Sequence, residues 1–425
     1  MTRNKTVLIS GLGIAGPALA FWLKAGGFEP VLIERSPRLR TGGYVIDFWG
    51  LGYDIAERMG LTEDIHRVGY HVRELRVVDG HGRRVAGFGT SVFRELTKGR
   101  FVTLGRSQLS QLLAGKVLGT SEVMFGDEIV GLEERKDSVC VQFKHGGARQ
   151  FDLVVGADGL HSQVRTLVFG PRHQFETRLG YAVAAFEATN YRPRDEDVYV
   201  PRDEDVYVLY GQPGRMLGRF TLRDNRTLFL FVFATGNAAL PDTPDRQKEL
   251  LRASYADGEW ECSRILDELG RTPELYFDEV SQIRMPGWSR GRIVLVGDAA
   301  CCVSLLAGQG SALAMTSAYV LAGELAKAAG RHEEAFRQYE AVLRRYIEIK
   351  QAGAVRFAGA LAPKTRWGLW FRNQVMNAFT IPGLARFVVG REIIDTLRLP
   401  DYCWGQAQGA TAGAVPACPV SRDRF

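Results

Sequence analysis

Residues 6–34 read TVLISGLGIAGPALAFWLKAGGFEPVLIE. The apolar run Thr6–Ser10 predicts a short strand, and Gly11, Gly13 and Gly16 predict a tight turn. Pro17–Ala25 reads as an amphipathic helix closed by Gly26 and Gly27, and Pro30–Ile33 as a second strand. Together they form a β-α-β unit with the G-x-G-x-x-G spacing. Its glycines serve three purposes: a sharp turn at Gly11, close backbone approach to a pyrophosphate at Gly13, and helix-on-strand packing at Gly16. Ile14 and Ala15 open the helix, whose N-terminal N–H groups and dipole suit phosphate. Glu34 ends the second strand, with Arg35 beside it, at the distance where an acid can accept ribose hydroxyls.

This fingerprint does not by itself separate NAD from FAD. A later stretch does. The strand Arg292–Val296 runs into Gly297-Asp298-Ala299-Ala300, followed by Gly308-Gln309-Gly310 and a helix opening at Ser311 and Ala312. An acid at the carboxyl end of a parallel strand sits where open α/β sheets bind ligands and can accept hydrogen bonds from a polyol chain. FAD carries such a ribityl chain, and its reduced flavin is anionic, which the second helix N-terminus would stabilise. Midway, Asp152–Val155 runs into Gly156-Ala157-Asp158-Gly159 with Arg165 on the next helix, and Arg106 follows the strand Phe101–Leu104.

The texture changes between about 173 and 285. Aromatic and β-branched runs at Tyr199–Tyr210, Gly218–Leu222 and Thr227–Phe233 predict a mostly antiparallel sheet, where Arg219, Phe231 and Phe233 could face a flat ligand. The fold expected is therefore α/β: a Rossmann-like FAD-binding domain from segments 1–72, 95–172 and 280–332, and an inserted substrate domain from 73–94 and 173–279. C-terminal bridging helices over 333–400 and a flexible tail over 401–425 complete it. Pro193–Val200 is repeated at once as Pro201–Val208, a tandem duplication of PRDEDVYV. Its even length preserves strand alternation, so the hairpin could lengthen without turning its buried face outward.

With 425 residues, 46% hydrophobic and 24% charged, the chain is long enough for two or three cores. A net charge of +6 and a pI near 9.0 accompany no nucleic-acid motif. No apolar run reaches the roughly 20 residues that cross a bilayer, so stable membrane insertion is not expected, although Arg356–Arg372 joins Trp with Arg as an interface would. The six cysteines lack C-x-x-C spacing, and the seven histidines form no metal-ligand pattern. Reduced cytoplasmic thiols and no metal are expected, with Cys301 and Cys302 as packing residues.

Three separated motifs in this order resemble the class A flavoprotein monooxygenases, with the p-hydroxybenzoate hydroxylase-type fold, over roughly residues 5–400. Gly16-Pro17-Ala18, Phe21–Lys24, Arg40–Gly43, Gly291-Arg292-Ile293 and Ala318–Leu325 are most similar to the tetracycline-inactivating flavin monooxygenases and related polyketide hydroxylases. That subgroup would carry a single PRDEDVYV. The wider family has His, Pro, Asn and an acid where this chain has Cys301, Leu305, Ala312 and Ser317.

The resemblance implies FAD as cofactor, NAD(P)H as a transient co-substrate and O2 as oxidant, with hydroxylation through a flavin C4a-hydroperoxide. The flavin then carries the chemistry and no catalytic residue is assigned. Glu34 would hold the adenosine ribose, Arg106 would contact the cofactor, Asp158 would support the FAD and nicotinamide region, and Asp298 would hold the ribityl chain. The loop Gly42–Asp47 would pass near the flavin, bringing Gly43 to the cofactor and Tyr44 and Asp47 to the substrate. The substrate implied is tetracycline-like or another polycyclic aromatic or polyketide. A smaller phenolic acid, or a flavin-binding sensor without turnover, are the alternatives, and a monomer is the expected state.

Overall fold

A computed structural model describes residues 4–40, 42–193, 205–236, 238–380 and 395–404. The helices are α1 (Ala15–Ala25), α2 (Gly50–Arg58), α3 (Thr62–Val68), α4 (Ser91–Leu96), α5 (Arg106–Gly115), α6 (Gln163–Phe169), α7 (Pro244–Tyr255), α8 (Cys262–Arg271), α9 (Asp298–Cys301), α10 (Gly310–Lys327), α11 (His332–Leu361) and α12 (Arg366–Ala378).

One sheet has the order β17 (Ser289–Arg290), β18 (Ile293–Leu295), β11 (Leu153–Gly156), β1 (Thr6–Ser10), β2 (Glu29–Glu34) and β7 (Glu122–Phe125). All its pairings are parallel except β17 with β18, and Ile9 lies between Val155 and Leu32. Val7, Leu8 and Ile9 are fully buried, which is why this strand is an unbroken apolar run. Helix α1 returns over β2 and packs on α10. It ends in a glycine cap: Gly27 adopts φ +82°, while Gly26 and Phe28 N–H donate to the carbonyls of Trp22 and Leu23. Strands β8 (Ile129–Glu134), β9 (Val139–Phe143) and β10 (Ala148–Phe151) form a three-stranded sheet whose Ile129, Val139 and Val141 join the same core.

The second large sheet runs β16 (Tyr276–Ile283), β12 (Glu176–Thr189), β15 (Arg226–Ala234), β14 (Arg215–Thr221), β13 (Val206–Gln212), β4 (Glu74–Val78) and β5 (Arg84–Gly89). It is antiparallel except between β13 and β4. Side chains alternate between two cores. Phe229, Phe231 and Phe233 meet Leu251 and Tyr255 of α7 and Ile265 and Leu269 of α8, while Val183, Val232 and Val280 join the core on the opposite face. A two-stranded ribbon, β3 (Val45–Trp49) with β6 (Phe101–Gly105), pairs Val45 with Gly105.

The architecture is the mixed α/β fold expected from the sequence: a parallel nucleotide-type sheet, a mostly antiparallel sheet and C-terminal helices. Of the duplicated octapeptide, residues 194–204 lie outside the described residues, and Val206, Tyr207 and Val208 of the second copy enter β13. At the C-terminus the described residues run to Trp404. Tyr402 donates to Glu324 at 2.8 Å, and Trp404 lies 4.7 Å from Trp22 between ring centroids, because the α1–α10 pair presents an aromatic face to them. Residues 405–425 lie outside the described residues.

Candidate active site

The glycine turn is fixed by three different demands. Gly11 adopts φ +108°, and its N–H donates to Ile33 at 2.8 Å. A methyl on Gly16 would collide with the Gly11 carbonyl, whereas one on Gly13 would meet nothing within 4 Å. The turn is thus closed on its inner side and open at Gly13, the cradle that close approach of a ligand's phosphates requires. Ile14 and Ala15 lead into α1, and Ser110 of α5 clamps the turn from outside by donating to the Gly13 carbonyl at 3.0 Å. Glu34 accepts from the N–H groups of Leu12 at 2.9 Å and Ser36 at 3.0 Å, so its carboxylate is held at the rim, with Arg35 exposed beside it.

A methyl on Gly297 would lie 3.3 Å from the Cβ atoms of both Ala15 and Ala314. The first turns of α1 and α10 therefore converge on the Gly297-Asp298 turn, and two helix dipoles favour negative charge there. Gly308 takes φ +67°, Gly310 begins α10 beside Asp298 Oδ1, Ser311 is buried, and Ala312 packs against Gly52 of α2.

Asp158 uses one oxygen to cap α6, accepting from Gln163 N–H at 2.8 Å and Val164 N–H at 3.1 Å. Its other oxygen, Oδ1, is buried with no hydrogen-bond partner, the kind of orphan a bound polar ligand satisfies. Arg165, fully buried, donates to the carbonyls of Ala299 at 2.9 Å and Leu160 at 2.6 Å, joining the Asp158 and Asp298 turns.

On the other side, β3–β6 pairing lets Arg106 N–H donate to the Tyr44 carbonyl at 3.0 Å. The Tyr44 ring lies 5.1 Å from that of Tyr276. Burial pushes the Tyr44 phenol up to about 12, opposed by Arg106 and reinforced by Asp298. Tyr44, then Tyr276 and Asp298, hold the Arg106 guanidinium above its usual range against the pull of burial. Burial likewise raises the Asp298 carboxyl, with Arg106 and the Cys302 thiol opposing. Asp47 accepts from Thr103 and bonds Tyr207, while burial raises its carboxyl. Gly43, at φ +116° with open space over its Cα, keeps the approach to Tyr44 clear. The surroundings thus gather a permanent cation, two aromatic rings and a carboxyl into one cluster.

Two cleft residues escaped the sequence reading: Tyr276 and Asp278, which alternate on β16 and bring their side chains together at 3.5 Å. Strand period was the available signal, since Phe277 between them faces the helices. Asp278 also contacts His161 at 3.1 Å.

Arg219, Phe231 and Phe233 require a correction. Arg219 is buried in an ion pair with Glu261 at 2.9 Å, its guanidinium over Trp260, and both phenylalanines pack beneath α7 and α8. All three sit on the helix-covered face, opposite the one carrying Tyr276. Cys301 and Cys302 are free, buried thiols, and burial raises both above the usual range, as packing residues would be.

The open Gly13 cradle, the convergent helix ends at Asp298 and the orphaned Asp158 oxygen fit FAD. Comparison with known proteins agrees. Residues 4–348 match the family described as FAD binding domain. An uncharacterised Mycobacterium tuberculosis protein is 38% identical over 82% of this chain and 92% of its own length. A flavin-dependent monooxygenase from an unknown prokaryotic organism is 35% identical, covering 83% of this chain and 88% of the relative. The crystal structure of tetracycline destructase Tet(51) superposes with a TM-score of 0.77 at 30% identity, over 95% of this chain and all of that one. The chain belongs to the FAD-binding-domain family and is a class A flavoprotein monooxygenase related to the tetracycline destructases.

Proposed function

We propose that the protein uses NAD(P)H and O2 to hydroxylate a tetracycline-like or other polycyclic aromatic or polyketide substrate. The observation that carries this reading is the Tyr44–Arg106–Tyr276–Asp298 cluster, in which a cation and two mutually tilted rings meet beside the converging helix ends. A polycyclic enol or phenol matches that combination, its flat face against rings and its oxyanion toward Arg106. The relatives named tetracycline destructase support the substrate class.

FAD, when bound, supplies the redox chemistry. Glu34, the Gly11–Gly16 turn and the N-terminus of α1 would hold its ribose and pyrophosphate, and Asp298 and the N-terminus of α10 would serve the ribityl and flavin side. Arg106 keeps its proton throughout and favours an electron-rich, deprotonated substrate oxygen. Tyr44 remains protonated near neutral pH and can donate from its hydroxyl. Tyr207, joined to Asp47 by a hydrogen bond, packs in the same cluster as Tyr44 and Tyr276 on the β13 side.

The test is the anaerobic rate at which NADPH or NADH bleaches the flavin absorbance, with and without a tetracycline, followed by mass analysis of the product in air. Acceleration by the drug and a product heavier by one oxygen atom support the reading. Flavin reduction indifferent to every polycycle tried, but accelerated by a small phenolic acid, would replace it.

A further inference from the structure

Helix α12 has two unlike faces. Its inner face is fastened to β5 and to the end of α11: Asn377 accepts from Gly87 N–H at 3.2 Å, and Arg372 donates to the Leu361 carbonyl at 3.0 Å. The outer face carries Trp367, Trp370, Phe371 and Val375, which are 77%, 54%, 63% and 36% exposed. Their spacing places them in one stripe along the helix, and the two indole rings meet edge-on at 5.4 Å. No residue of this helix is fully buried. A contiguous exposed patch of this chemistry marks an interaction surface.

The charge of the sequence on either side of the stripe points to the partner. From 349 to 391 the sequence holds Lys350, Arg356, Lys364, Arg366, Arg372, Arg386 and Arg391 and not one Asp or Glu, although the whole chain has 48 acids against 54 bases. Lys350 is paired with Asp395, whereas Lys364 and Arg366 are exposed at the start of the stripe. A free polyanion would leave the aromatic centre of this face in water. An anionic bilayer meets both halves, since indole rings favour the headgroup boundary and basic side chains the phosphates. Among the described residues no helix is long and apolar enough to cross a membrane, so α12 would lie along the surface.

We propose that α12 is a peripheral docking surface for an anionic phospholipid bilayer, with Trp367, Trp370 and Phe371 entering the interface and Lys364 and Arg366 meeting lipid phosphates. This reading is independent of the substrate.

Flotation of the FAD-loaded full chain tests it, using vesicles of phosphatidylcholine alone and of phosphatidylcholine with an equal part of phosphatidylglycerol. The protein is expected to float with the anionic vesicles, with tryptophan emission quenched by lipids brominated on the acyl chains. The W367S/W370S/F371S variant should lose about tenfold or more in vesicle affinity while keeping its flavin content and NAD(P)H oxidation. The K364E/R366E variant should lose the preference for phosphatidylglycerol. Absence of flotation with anionic vesicles, unchanged binding by the aromatic variant, or binding without quenching would each overturn the proposal. Self-association in sedimentation, abolished by the aromatic variant and unaccompanied by vesicle binding, would give the face to a second copy of the chain instead.

Discussion

Arg165 Nη1 donates to the carbonyl of Ala299 across 2.9 Å, fastening the turn that presents Asp158 to the turn that presents Asp298. The side chain is fully buried, with burial lowering its pKa and Asp158 opposing that effect. Replacing it with Met would leave the Ala299 and Leu160 carbonyls without donors. Arg165→Met is expected to cost the apoprotein about 3 kcal/mol and to weaken FAD binding, while Arg165→Lys, able to reach one carbonyl, should fall between. Urea unfolding and flavin fluorescence titration read the two effects. Weakened FAD binding at unchanged stability would contradict a role through the turns.

Gly13 and Gly16 should separate folding from binding. Gly13 has open space where a methyl would go, and its φ lies outside the positive range, so Gly13→Ala should leave the apoprotein's stability within about 0.5 kcal/mol of the wild type. It should nonetheless reduce FAD affinity about tenfold or more, because the methyl occupies the space that phosphate approach requires. Gly16→Ala drives a methyl into the Gly11 carbonyl and is expected to destabilise the apoprotein itself by about 1–3 kcal/mol. Thermal melts of the flavin-free proteins distinguish the two.

These contrasts explain what the sequence displayed and what it concealed. The unit from Thr6 to Glu34 was legible because its determinants are local: an apolar run buried on both faces, glycines at fixed spacing and a terminal acid. Alternation also revealed that Arg219, Phe231 and Phe233 belong to one set of sheet positions. Period two shows which residues share a face, but not which face meets the cleft. That choice rests on α7 and α8, which follow in the chain, and on Glu261, whose pairing with Arg219 spans 42 positions. Tyr402 and Trp404 were hidden for a related reason. Their partners Trp22, Tyr319 and Glu324 are distant in sequence, and nothing periodic announces the contact.

The buried Arg219–Glu261 pair gives the corrected assignment its own test. Both side chains are about 5–6% exposed, and Tyr191 donates to the same carboxylate at 2.7 Å. Arg219→Met strands Glu261 and should cost about 3–5 kcal/mol, with kcat and KM for the substrate changed by no more than about twofold below the melting transition. The double variant Arg219→Met with Glu261→Met should recover much of the lost stability, because the stranded charge is removed. A selective rise in KM without destabilisation would return Arg219 to the substrate site.

Asp298 predicts a pH signature. Its carboxyl is raised above the ordinary 3.8, by burial first and despite the opposing field of Arg106. The native apoprotein therefore binds that proton more tightly than the unfolded chain. The stabilising contribution is fully present below pH 3.8 and is lost as pH rises through the elevated native value. Asp298→Asn removes the ionised form, so the variant apoprotein should melt above the wild type at pH 7, with the gap closing as pH falls toward 4. The same substitution exchanges an anionic acceptor for a neutral amide and should weaken FAD binding about tenfold or more. Melting curves of both apoproteins from pH 4 to 8, alongside flavin titrations at neutral pH, measure the opposed effects. A variant less stable than the wild type at pH 7, with a gap that narrows on acidification, would mean that Asp298 is held ionised by partners stronger than the burial acting against it.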